Sequence, residues 1–339
     1  MKALCLKEPY QMSIEEVNKP VLTEDNAIVK MEMCGICGSD ITAYKGVNPT
    51  VKYPVIGAGH EGIGVITEIG QNEKGLKVGD RVALEPYIPC RKCHSCKEER
   101  FNNCVNIQVA GVHTGGMMTE YFSHPVSLLY KVPEELSLEK ATLVEPLTIA
   151  LHGVTRAQVK PGEFCIVTGA GPIGLLAALV VRAYGATPIL VDILEDRLKF
   201  ANSIGIELTY NSNNNDGLVE YLKKVTNGKL PEALVDCTGS SFIISKMHDY
   251  VCHGGRIAIV GWPKSEVMVN IVRCIQKELA IFPSRNSNKK FPEAIDLINS
   301  GKIDVEKLIT KIINIDATED TIKDIIENPN NYMKVLVRI

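Results

Sequence analysis

Apolar residues dominate the stretch 163–192, and the polar and glycine positions that interrupt it divide it into three elements. The segment "FCIVT" (164–168) predicts a buried strand, because it is a short apolar run bounded by turn residues. "PIGLLAALVVRAYG" (172–185) predicts an apolar helix that ends at Gly185. "PILVD" (188–192) predicts a second strand, so the whole stretch has the pattern of a βαβ unit.

Further apolar runs follow the same alternation. "EALVDCTG" (232–239) and "GGRIAIVGW" (254–262) predict additional strands of a parallel sheet, and "NAIVKMEM" predicts a strand near the N-terminus. Ligands bind outside the carboxyl ends of the strands in such sheets. Thr238, Val260 and Gly261 are therefore candidates to line a ligand site, with ordinary loops as the alternative. Trp262, the only tryptophan, either lines that ligand site or packs against the rest of the protein. The polar segment "NSNNND" (211–216) predicts a surface loop.

The turn inside the βαβ unit carries the pattern G-x-G-x-x-G at Gly169, Gly171 and Gly174, and Asp192 ends the next strand. Glycines there let the backbone approach a pyrophosphate, which lies on the helix N-terminus. An acid at the end of the next strand binds the adenosine ribose hydroxyls and repels a 2′-phosphate. Hydrophobic residues follow Asp192 directly, so no adjacent arginine is present to bind a 2′-phosphate. NAD is therefore favoured over NADP. A βαβ unit without a dinucleotide is the alternative. Three further candidate cofactor contacts are Pro172, Ile173 and Arg197.

The bulk composition excludes several classes of protein. A length of 339 residues favours about two domains, and 45% hydrophobic with 23% charged residues is ordinary for a globular chain. A net charge of −3 predicts neither a nucleic-acid nor an anionic-membrane partner. The longest uncharged run (164–181) is broken by glycines and a proline, which argues against a membrane span. Eleven cysteines without a secretory signal indicate a reducing cytoplasm, where thiols bind metals or fill cores.

Four cysteines lie in one hydrophilic stretch, residues 89–104, with the spacing C-x2-C-x2-C-x7-C. They are Cys90, Cys93, Cys96 and Cys104. Disulfides, an iron–sulfur cluster and zinc compete for this pattern. The ferredoxin run ends in C-x3-C-P, which this stretch does not match, so zinc is favoured. Nearby basic residues offset the charge of four thiolates. Four protein ligands complete the coordination of the zinc and leave no position for a substrate, so we expect the site to be structural.

A second set of possible metal ligands has a mixed composition. It comes from "CGICGSD" (34–40), "GAGHEGIG" (57–64) and "LVEPLTIALHG" (143–153). The candidates are Cys37, His60, Glu61 and Glu145. One thiolate, one imidazole and a carboxylate leave room for water or an alcohol, as a catalytic zinc requires. Each residue alone has an ordinary structural explanation. "CGIC" also matches a redox dithiol; otherwise Cys34 is a small buried residue.

The whole chain resembles the zinc-dependent medium-chain dehydrogenases, in the branch with sorbitol, threonine and L-galactonate dehydrogenases. The shared motifs, in the family's order, are "CGICGSD", "GHE", the four-cysteine lobe, "EPL", "GAGPIG", Asp192 and "PSRN" (283–286). The segments "GVH" (111–113) and "GKIDVEKLIT" (301–310) are most similar to bacterial L-galactonate 5-dehydrogenase and the starvation-sensing dehydrogenases.

The resemblance implies an α/β fold with two domains and an active site in the cleft. Residues 1–149 and 284–339 would form a catalytic, GroES-like domain with a partly open β-barrel. Residues 150–283 would form an inserted Rossmann domain with a doubly wound parallel sheet. Relatives form dimers or tetramers, so a homodimer or homotetramer is expected.

The resemblance also implies roles for individual residues. Cys37, His60 and Glu145 would ligate the catalytic zinc, Glu145 either directly or through water, and Glu61 would alternate with water as a near ligand. Ser39 would take the proton from the substrate hydroxyl. Arg285 would contact cofactor or substrate hydroxyls.

The implied activity is reversible oxidation of a secondary alcohol on a polyol or sugar acid, with NAD and two zinc ions per chain. Three alternatives remain open. The first is a threonine-type amino-alcohol dehydrogenase. The second is a non-catalytic metabolite sensor that binds NAD. The third is a thiol switch in which Cys34 and Cys37 oxidise and release zinc.

The chain departs from the family pattern in three places. "PVIGAGHE" is one residue longer than usual, which leaves the path of the loop before His60 open. Thr42 occupies the position of a relay histidine and cannot titrate near neutral pH, so the proton must leave through water or another group. Met117 and Met118 replace a glycine and a phenylalanine, and nothing about the substrate follows from them.

Overall fold

The computed structural model describes residues 1–213 and 217–339, which divide into two compact units. Unit 1 comprises Met1–Glu145 and Phe291–Ile339, and unit 2 comprises Pro146–Lys290. The loop predicted at 211–216 lies partly outside the described residues, and Asn211 ends a strand. The domain boundaries at 149/150 and 283/284 stay a prediction.

The elements in the described residues are as follows. The strands are β1 Lys2–Glu8, β2 Gln11–Glu16, β3 Asn26–Ile36, β4 Val55–Ile56, β5 Glu61–Ile69, β6 Arg81–Leu84, β7 Tyr87–Ile88, β8 Gln108–Val109, β9 Tyr121–Pro125, β10 Leu129–Lys131, β11 Phe164–Thr168, β12 Thr187–Asp192, β13 Leu208–Asn211, β14 Ala233–Asp236, β15 Arg256–Ile259, β16 Ala280–Pro283, β17 Ile309–Asn314 and β18 Lys334–Arg338. The α-helices are α1 Gly38–Tyr44, α2 His94–Lys97, α3 Leu138–Thr142, α4 Val144–Arg156, α5 Pro172–Ala183, α6 Glu195–Ser203, α7 Leu218–Val225, α8 Ser241–Lys246, α9 Ile271–Lys277, α10 Phe291–Asn299 and α11 Thr318–Glu327.

Unit 1 is organised around β3, which pairs antiparallel with β5, β9 and β18. Within the described residues, its main sheet has the order β10-β6-β5-β3-β18-β17, with β9 also on β3. Smaller sheets are β2-β1-β4 and β7-β8. Because β17 and β18 come from the C-terminal segment, both ends of the chain contribute to one core. This core includes Leu6, Val29, Met31, Ile66 and Leu84.

Unit 2 is built on a parallel sheet whose order, among the described strands, is β13-β12-β11-β14-β15-β16. Numbered within the unit, this is 3-2-1-4-5-6, the order of a Rossmann fold, so the predicted doubly wound sheet is confirmed. The order reverses between β11 and β14, which is where such sheets bind ligands. Fully buried apolar residues from the four central strands, such as Ile166, Ile189, Leu234 and Ile257, fill its core.

The strand, turn and helix predicted for the long apolar run are confirmed as β11, a glycine turn and α5. The strands predicted in "PILVD", "EALVDCTG" and "GGRIAIVGW" are confirmed as β12, β14 and β15. Among the helices described here, none has the length and apolar character needed to cross a bilayer.

Candidate metal centres and cofactor site

The pairing of β3 with β5 creates the mixed cluster. Gly35 near the end of β3 lies opposite Glu61 at the start of β5. Cys37 follows β3 directly, and His60 directly precedes β5, so the register places the two side by side. The possible ligand atoms of Cys37, His60 and Glu61 all lie within 4.8 Å of one another. We call this group the mixed centre.

Asp40 links two residues of the mixed centre. The Cys37 backbone N–H donates to Asp40 Oδ2 at 2.8 Å, and His60 Nδ1 lies 3.7 Å from Asp40 Oδ1. Burial raises the pKa of Asp40. The sequence did not predict a role for Asp40. An acidic residue three positions after the N-cap of a helix, here Cys37, is a recognisable capping pattern and was the available clue.

Glu61 forms a buried ion pair with Lys334 from β18. The Lys334 ammonium lies 2.7 Å from both Glu61 carboxylate oxygens, and the two side chains are 4% and 1% exposed. Burial alone would lower the pKa of Lys334, but Glu61 and Cys37 raise it above its ordinary value. Gly35 makes room for this pair, since a Cβ there would lie 2.0 Å from Glu61 Oε2. Lys334 is 273 residues from Glu61, and the sequence analysis did not find it.

Glu145 does not belong to the group of three. It lies in the first turn of α4, and its Oε1 accepts a hydrogen bond from the Tyr87 hydroxyl at 2.6 Å. Both side chains are buried, and burial raises the pKa of each. His60 acts against the effect of burial and lowers the pKa of Glu145. After Asp40 and Lys334, Tyr87 is the third residue whose role the sequence did not predict.

The Ser39 hydroxyl is available for a new hydrogen bond. Its Oγ is buried and, among the described residues, has no hydrogen-bond partner. Ser39 lies in the first turn of α1, two residues after Cys37. The Thr42 hydroxyl donates to the Ser39 carbonyl oxygen at 2.9 Å, so it is committed to the backbone of the helix. Thr42 therefore does not extend a side-chain relay from Ser39.

The longer loop before His60 follows a path that glycines permit. Gly57 and Gly59 have positive φ angles of 66° and 87°, and the loop bonds to residues 116–118 through backbone hydrogen bonds. Met117 and Met118 are buried against this loop and the glycines beside it. The two methionines thus pack against the glycines that flank His60 and Glu61. Cys34 is fully buried, as expected for a small core residue, and burial raises its pKa well above the ordinary value.

The four cysteines of residues 90–104 come together as predicted. Their sulfur atoms all lie within 4.8 Å of one another. The Cys90 N–H donates to Cys104 Sγ at 3.2 Å, and Cys93 Sγ lies 3.5 Å from Cys96 Sγ. Backbone N–H groups lower the pKa of Cys93, whereas burial raises that of Cys96. We call this group the four-cysteine centre.

The spacing of these sulfurs fits a single ion. A Zn–S bond of about 2.3 Å places the four sulfurs of a tetrahedral site about 3.8 Å apart. An iron–sulfur cluster needs a wider cage, because several irons and sulfides lie between the cysteines. A disulfide has an S–S bond of about 2.0 Å, and all eleven cysteines are free thiols. The geometry therefore matches a closed zinc site.

The glycine turn of unit 2 has the close approach that a dinucleotide site requires. Gly169 has a φ angle of 95°, and a Cβ on Gly174 would lie 1.7 Å from the Gly169 carbonyl oxygen. Pro172 begins α5. Asp192 Oδ2 accepts the Ala170 N–H at 2.5 Å, which fixes its carboxylate beside the turn. These contacts leave the N-terminus of α5 lined by backbone N–H groups.

Arg197 also lies at this turn. Its Nη1 would be 3.3 Å from a Cβ on Gly171, and its buried Nε has no partner among the described residues. The sequence analysis noted no arginine directly after Asp192. The first turn of α6 nevertheless brings this guanidinium back to the glycine turn.

Asp236, at the end of β14, organises the other side of the switch point. It is buried and accepts hydrogen bonds from the Thr168 hydroxyl, the Thr238 hydroxyl and N–H, and the Gly239 N–H. The Gly261 N–H donates to its carbonyl oxygen at 3.0 Å. Asp236 thus holds the two loops that carry Thr238 and Gly261, a role the sequence analysis did not assign.

The remaining predicted cofactor residues take different positions. Ile173 lies in the first turn of α5. The Val260 side chain packs against Gly153 of α4, where a Cβ would lie 2.5 Å from Val260 Cγ2. Trp262 is 75% exposed, so it does not pack in a core. Arg285 follows β16 and is exposed.

Comparison with known proteins identifies the family. The family model "Alcohol dehydrogenase GroES-like domain" matches residues 23–134, and "Zinc-binding dehydrogenase" matches residues 172–300. An uncharacterized zinc-type alcohol dehydrogenase-like protein of Haemophilus influenzae is 42% identical, covering 99% of this chain and 98% of the relative. Sorbitol dehydrogenase of Bacillus subtilis is 32% identical, covering 99% and 97%.

Among solved structures, the alcohol dehydrogenase rspB of Escherichia coli CFT073, complexed with NADH, has a TM-score of 0.93. It is 32% identical, and the match covers 100% of this chain and 99% of that one. Full-length identity above 30% confirms the family and the GroES-like and Rossmann folds. The chain therefore belongs to the zinc-type medium-chain alcohol dehydrogenases, which are nicotinamide-dependent oxidoreductases of alcohols and polyols.

Proposed function

We propose that this protein oxidises a secondary alcohol of a polyol or sugar acid, of the L-galactonate type, reversibly with NAD. The observation that carries the proposal is the mixed centre, whose thiol, imidazole and carboxylate lie within 4.8 Å of one another. Relatives named for sorbitol and D-xylulose support a polyol substrate. In this proposal residues 1–149 and 284–339 are the catalytic domain, and residues 150–283 bind NAD.

The residues of the mixed centre fit a catalytic zinc. A thiolate, an imidazole and carboxylates are the donor set of open zinc sites. Cys37 and His60 would hold the ion, Glu61 would alternate with water, and Glu145 would complete the set directly or through water. When bound, zinc supplies Lewis acidity that lowers the pKa of a coordinated hydroxyl. The Lys334 ammonium pairs with Glu61 and would compete with the ion for its carboxylate.

Ser39 would accept the proton that the substrate loses. Its buried Oγ has no partner among the described residues, so it is free to accept a hydrogen bond from a hydroxyl bound beside Cys37. General acid–base groups must lie within hydrogen-bond reach of the proton they take. Because Thr42 is committed to the helix backbone, the proton then leaves through water or another group.

NAD would bind at the carboxyl ends of the unit 2 strands. The glycine turn accommodates the pyrophosphate, and Asp192 would bind the adenosine ribose. Arg197 lies over the turn, and Thr238 and Gly261 would line the nicotinamide side, next to Val260, which packs against Gly153 of α4. Arg285 would contact hydroxyl groups of cofactor or substrate. When bound at this site, the cofactor would supply the hydride-transfer chemistry of the reaction.

The four-cysteine centre would hold a second, structural zinc, and the protein would work as a homodimer or homotetramer in the cytoplasm. Large apolar side chains are exposed within residues 262–275 of unit 2, including Trp262, Met268 and Ile275. Contiguous exposed apolar surface marks protein interfaces. Free thiols at all eleven cysteines fit a reducing compartment.

The test is NAD reduction, followed by absorbance, with polyols, aldonic acids, sugar phosphates and threonine on zinc-loaded protein. We expect turnover with polyols or sugar acids only. Turnover confined to threonine would replace this proposal with the amino-alcohol activity. Silence across the panel, with zinc and NAD bound, would contradict the proposed substrate class and favour a sensing role.

A further inference from the structure

We propose that Tyr87 is a positioning residue of the mixed centre, which holds the Glu145 carboxylate in place and thereby keeps a coordination position open for substrate. The inference rests on the proposed function, in that the mixed centre binds a catalytic metal. Neither the sequence motifs nor the matches to known proteins assign a role to Tyr87.

The contact itself is short and buried. The Tyr87 hydroxyl donates to Glu145 Oε1 at 2.6 Å, and the two residues are 7% and 4% exposed. A hydrogen bond from a hydroxyl to a carboxylate is stronger than one between neutral groups, and removing the donor leaves a buried charge poorly solvated. Tyr87 and Glu145 are 58 residues apart, so this bond joins β7 to the start of α4.

The bond occupies one of the two carboxylate oxygens of Glu145. Cys37, His60 and Glu61 place their ligand atoms within 4.8 Å of one another, and Glu145 is outside that group. Because Oε1 is engaged by the phenol, the carboxylate cannot turn both oxygens to the metal without breaking the bond. Glu145 would therefore offer at most its second oxygen, and a water or substrate hydroxyl could occupy the position that a two-oxygen carboxylate would fill.

The chain segment that follows Tyr87 is held by the four-cysteine centre. Strand β7 pairs with β8 and leads directly into Cys90, whose N–H donates to Cys104 Sγ. Arg91, the next residue, donates to the Ser127 hydroxyl at 2.6 Å. The segment that carries Tyr87 is thus anchored by the structural lobe, which gives that lobe an indirect part in positioning Glu145.

Unit 1 offers a matched control. The Tyr130 hydroxyl donates to Glu85 Oε2 at 2.7 Å, and Glu85 is also buried. Among the described residues, Glu85 belongs to neither metal-binding group. Tyr130→Phe therefore removes an equivalent tyrosine–glutamate bond and leaves the mixed centre unchanged.

The experiment replaces the exchangeable metal by Co²⁺ in the wild type, Tyr87→Phe and Tyr130→Phe, and records visible absorption, kcat and KM. We expect Tyr87→Phe to alter the cobalt bands and to lower kcat roughly tenfold or more, with KM for NAD unchanged. Tyr130→Phe should keep the wild-type bands and kcat. Identical bands and kcat in the wild type and Tyr87→Phe would overturn the proposal.

A double-mutant cycle covers the case in which Tyr87→Phe does not fold. In Glu145→Ala no side-chain oxygen remains to accept the Tyr87 hydrogen bond, so adding Tyr87→Phe should change neither the cobalt bands nor kcat further. A further change in that background would show that Tyr87 acts otherwise than through Glu145 and would overturn the proposal. If adding any of the alcohol substrates left the visible absorption of the cobalt-substituted wild type unchanged, that result would instead count against the proposed function.

Discussion

The two cysteine-containing centres of unit 1 differ in how they are built. The four-cysteine centre takes every ligand from residues 90–104, where short turns bring the sulfurs together. The mixed centre collects Cys37 and His60 from two strand ends, and its supporting groups Tyr87 and Lys334 from distant segments. A closed centre can therefore be specified locally, whereas an open one depends on the tertiary fold to keep a position vacant for substrate.

The largest expected effect comes from removing the thiolate of the mixed centre. Cys37→Ala should lower turnover at least about a thousandfold, because the hydroxyl pKa is no longer lowered. Zinc content should fall from two to one per chain, with NAD binding retained. Metal analysis, steady-state kinetics and NAD titration measure these three quantities.

Cys34→Ala is the control for that variant. Cys34 is fully buried and outside both groups, so its loss should leave zinc content and most turnover unchanged. If Cys34→Ala lost as much activity as Cys37→Ala, the two cysteines would act as a redox dithiol or thiol switch.

The second prediction concerns the closed centre. Cys104→Ser should remove one zinc and destabilise unit 1 by several kcal/mol, on the order of 3 or more, because structural zinc contributes folding free energy. Thermal unfolding with metal analysis tests this. A variant with one zinc and wild-type thermal stability would show that the four-cysteine centre is not structural.

The third prediction breaks the ion pair beside the mixed centre. Lys334→Met leaves the Glu61 carboxylate buried without its cation, which should cost about 3–5 kcal/mol of unfolding free energy. Adding Glu61→Gln should recover part of that stability. Denaturant unfolding measures both. Equal stability of Lys334→Met and the wild type would mean that the pair does not hold Glu61.

The fourth prediction extends the comparison to unit 2, whose cofactor site should be independent of both metals. Asp236→Asn weakens the hydrogen bonds that hold the Thr238 and Gly261 loops, so we expect NAD affinity to fall about tenfold. Zinc content should remain at two. A loss of zinc in this variant would contradict independent sites.

The smallest expected effect concerns His124 and the pH dependence of stability. It distinguishes the fall in unfolding free energy at low pH from the release of zinc at low pH. His124 is fully buried, donates from Nε2 to the Glu85 carbonyl oxygen, and has an unpartnered Nδ1 among the described groups. Burial lowers its pKa from 6.5 to about 4. The unfolded chain therefore binds the proton more readily, and stability falls as pH drops from 6.5 towards 4.

His124→Gln should remove about 1 kcal/mol of the stability difference between pH 7.5 and pH 5.5, while the pH of zinc release stays the same. Denaturant unfolding and metal release at both pH values provide the test. An unchanged pH slope in His124→Gln would show that another group controls it.

The features that the sequence predicted correctly are all formed by residues that are close together in the chain. The strands of unit 2, the glycine turn and the four-cysteine centre each follow from a short pattern whose residues are neighbours in the chain. Lys334 and Tyr87 could not be found this way, because their partners are 273 and 58 residues away. Asp236 was visible as a strand-end acid, but its role depends on loops that only the folded sheet brings together.

The most direct test of the central claim, that one centre is closed and the other open, is a crystal structure of the zinc-loaded protein with anomalous data at the zinc edge. We expect two zinc ions per chain. One should be bound by Cys90, Cys93, Cys96 and Cys104, and the other by Cys37 and His60 with a water or substrate position free beside Ser39. A second ion enclosed by four protein ligands, with Glu145 released from Tyr87 and bound directly, would contradict the account.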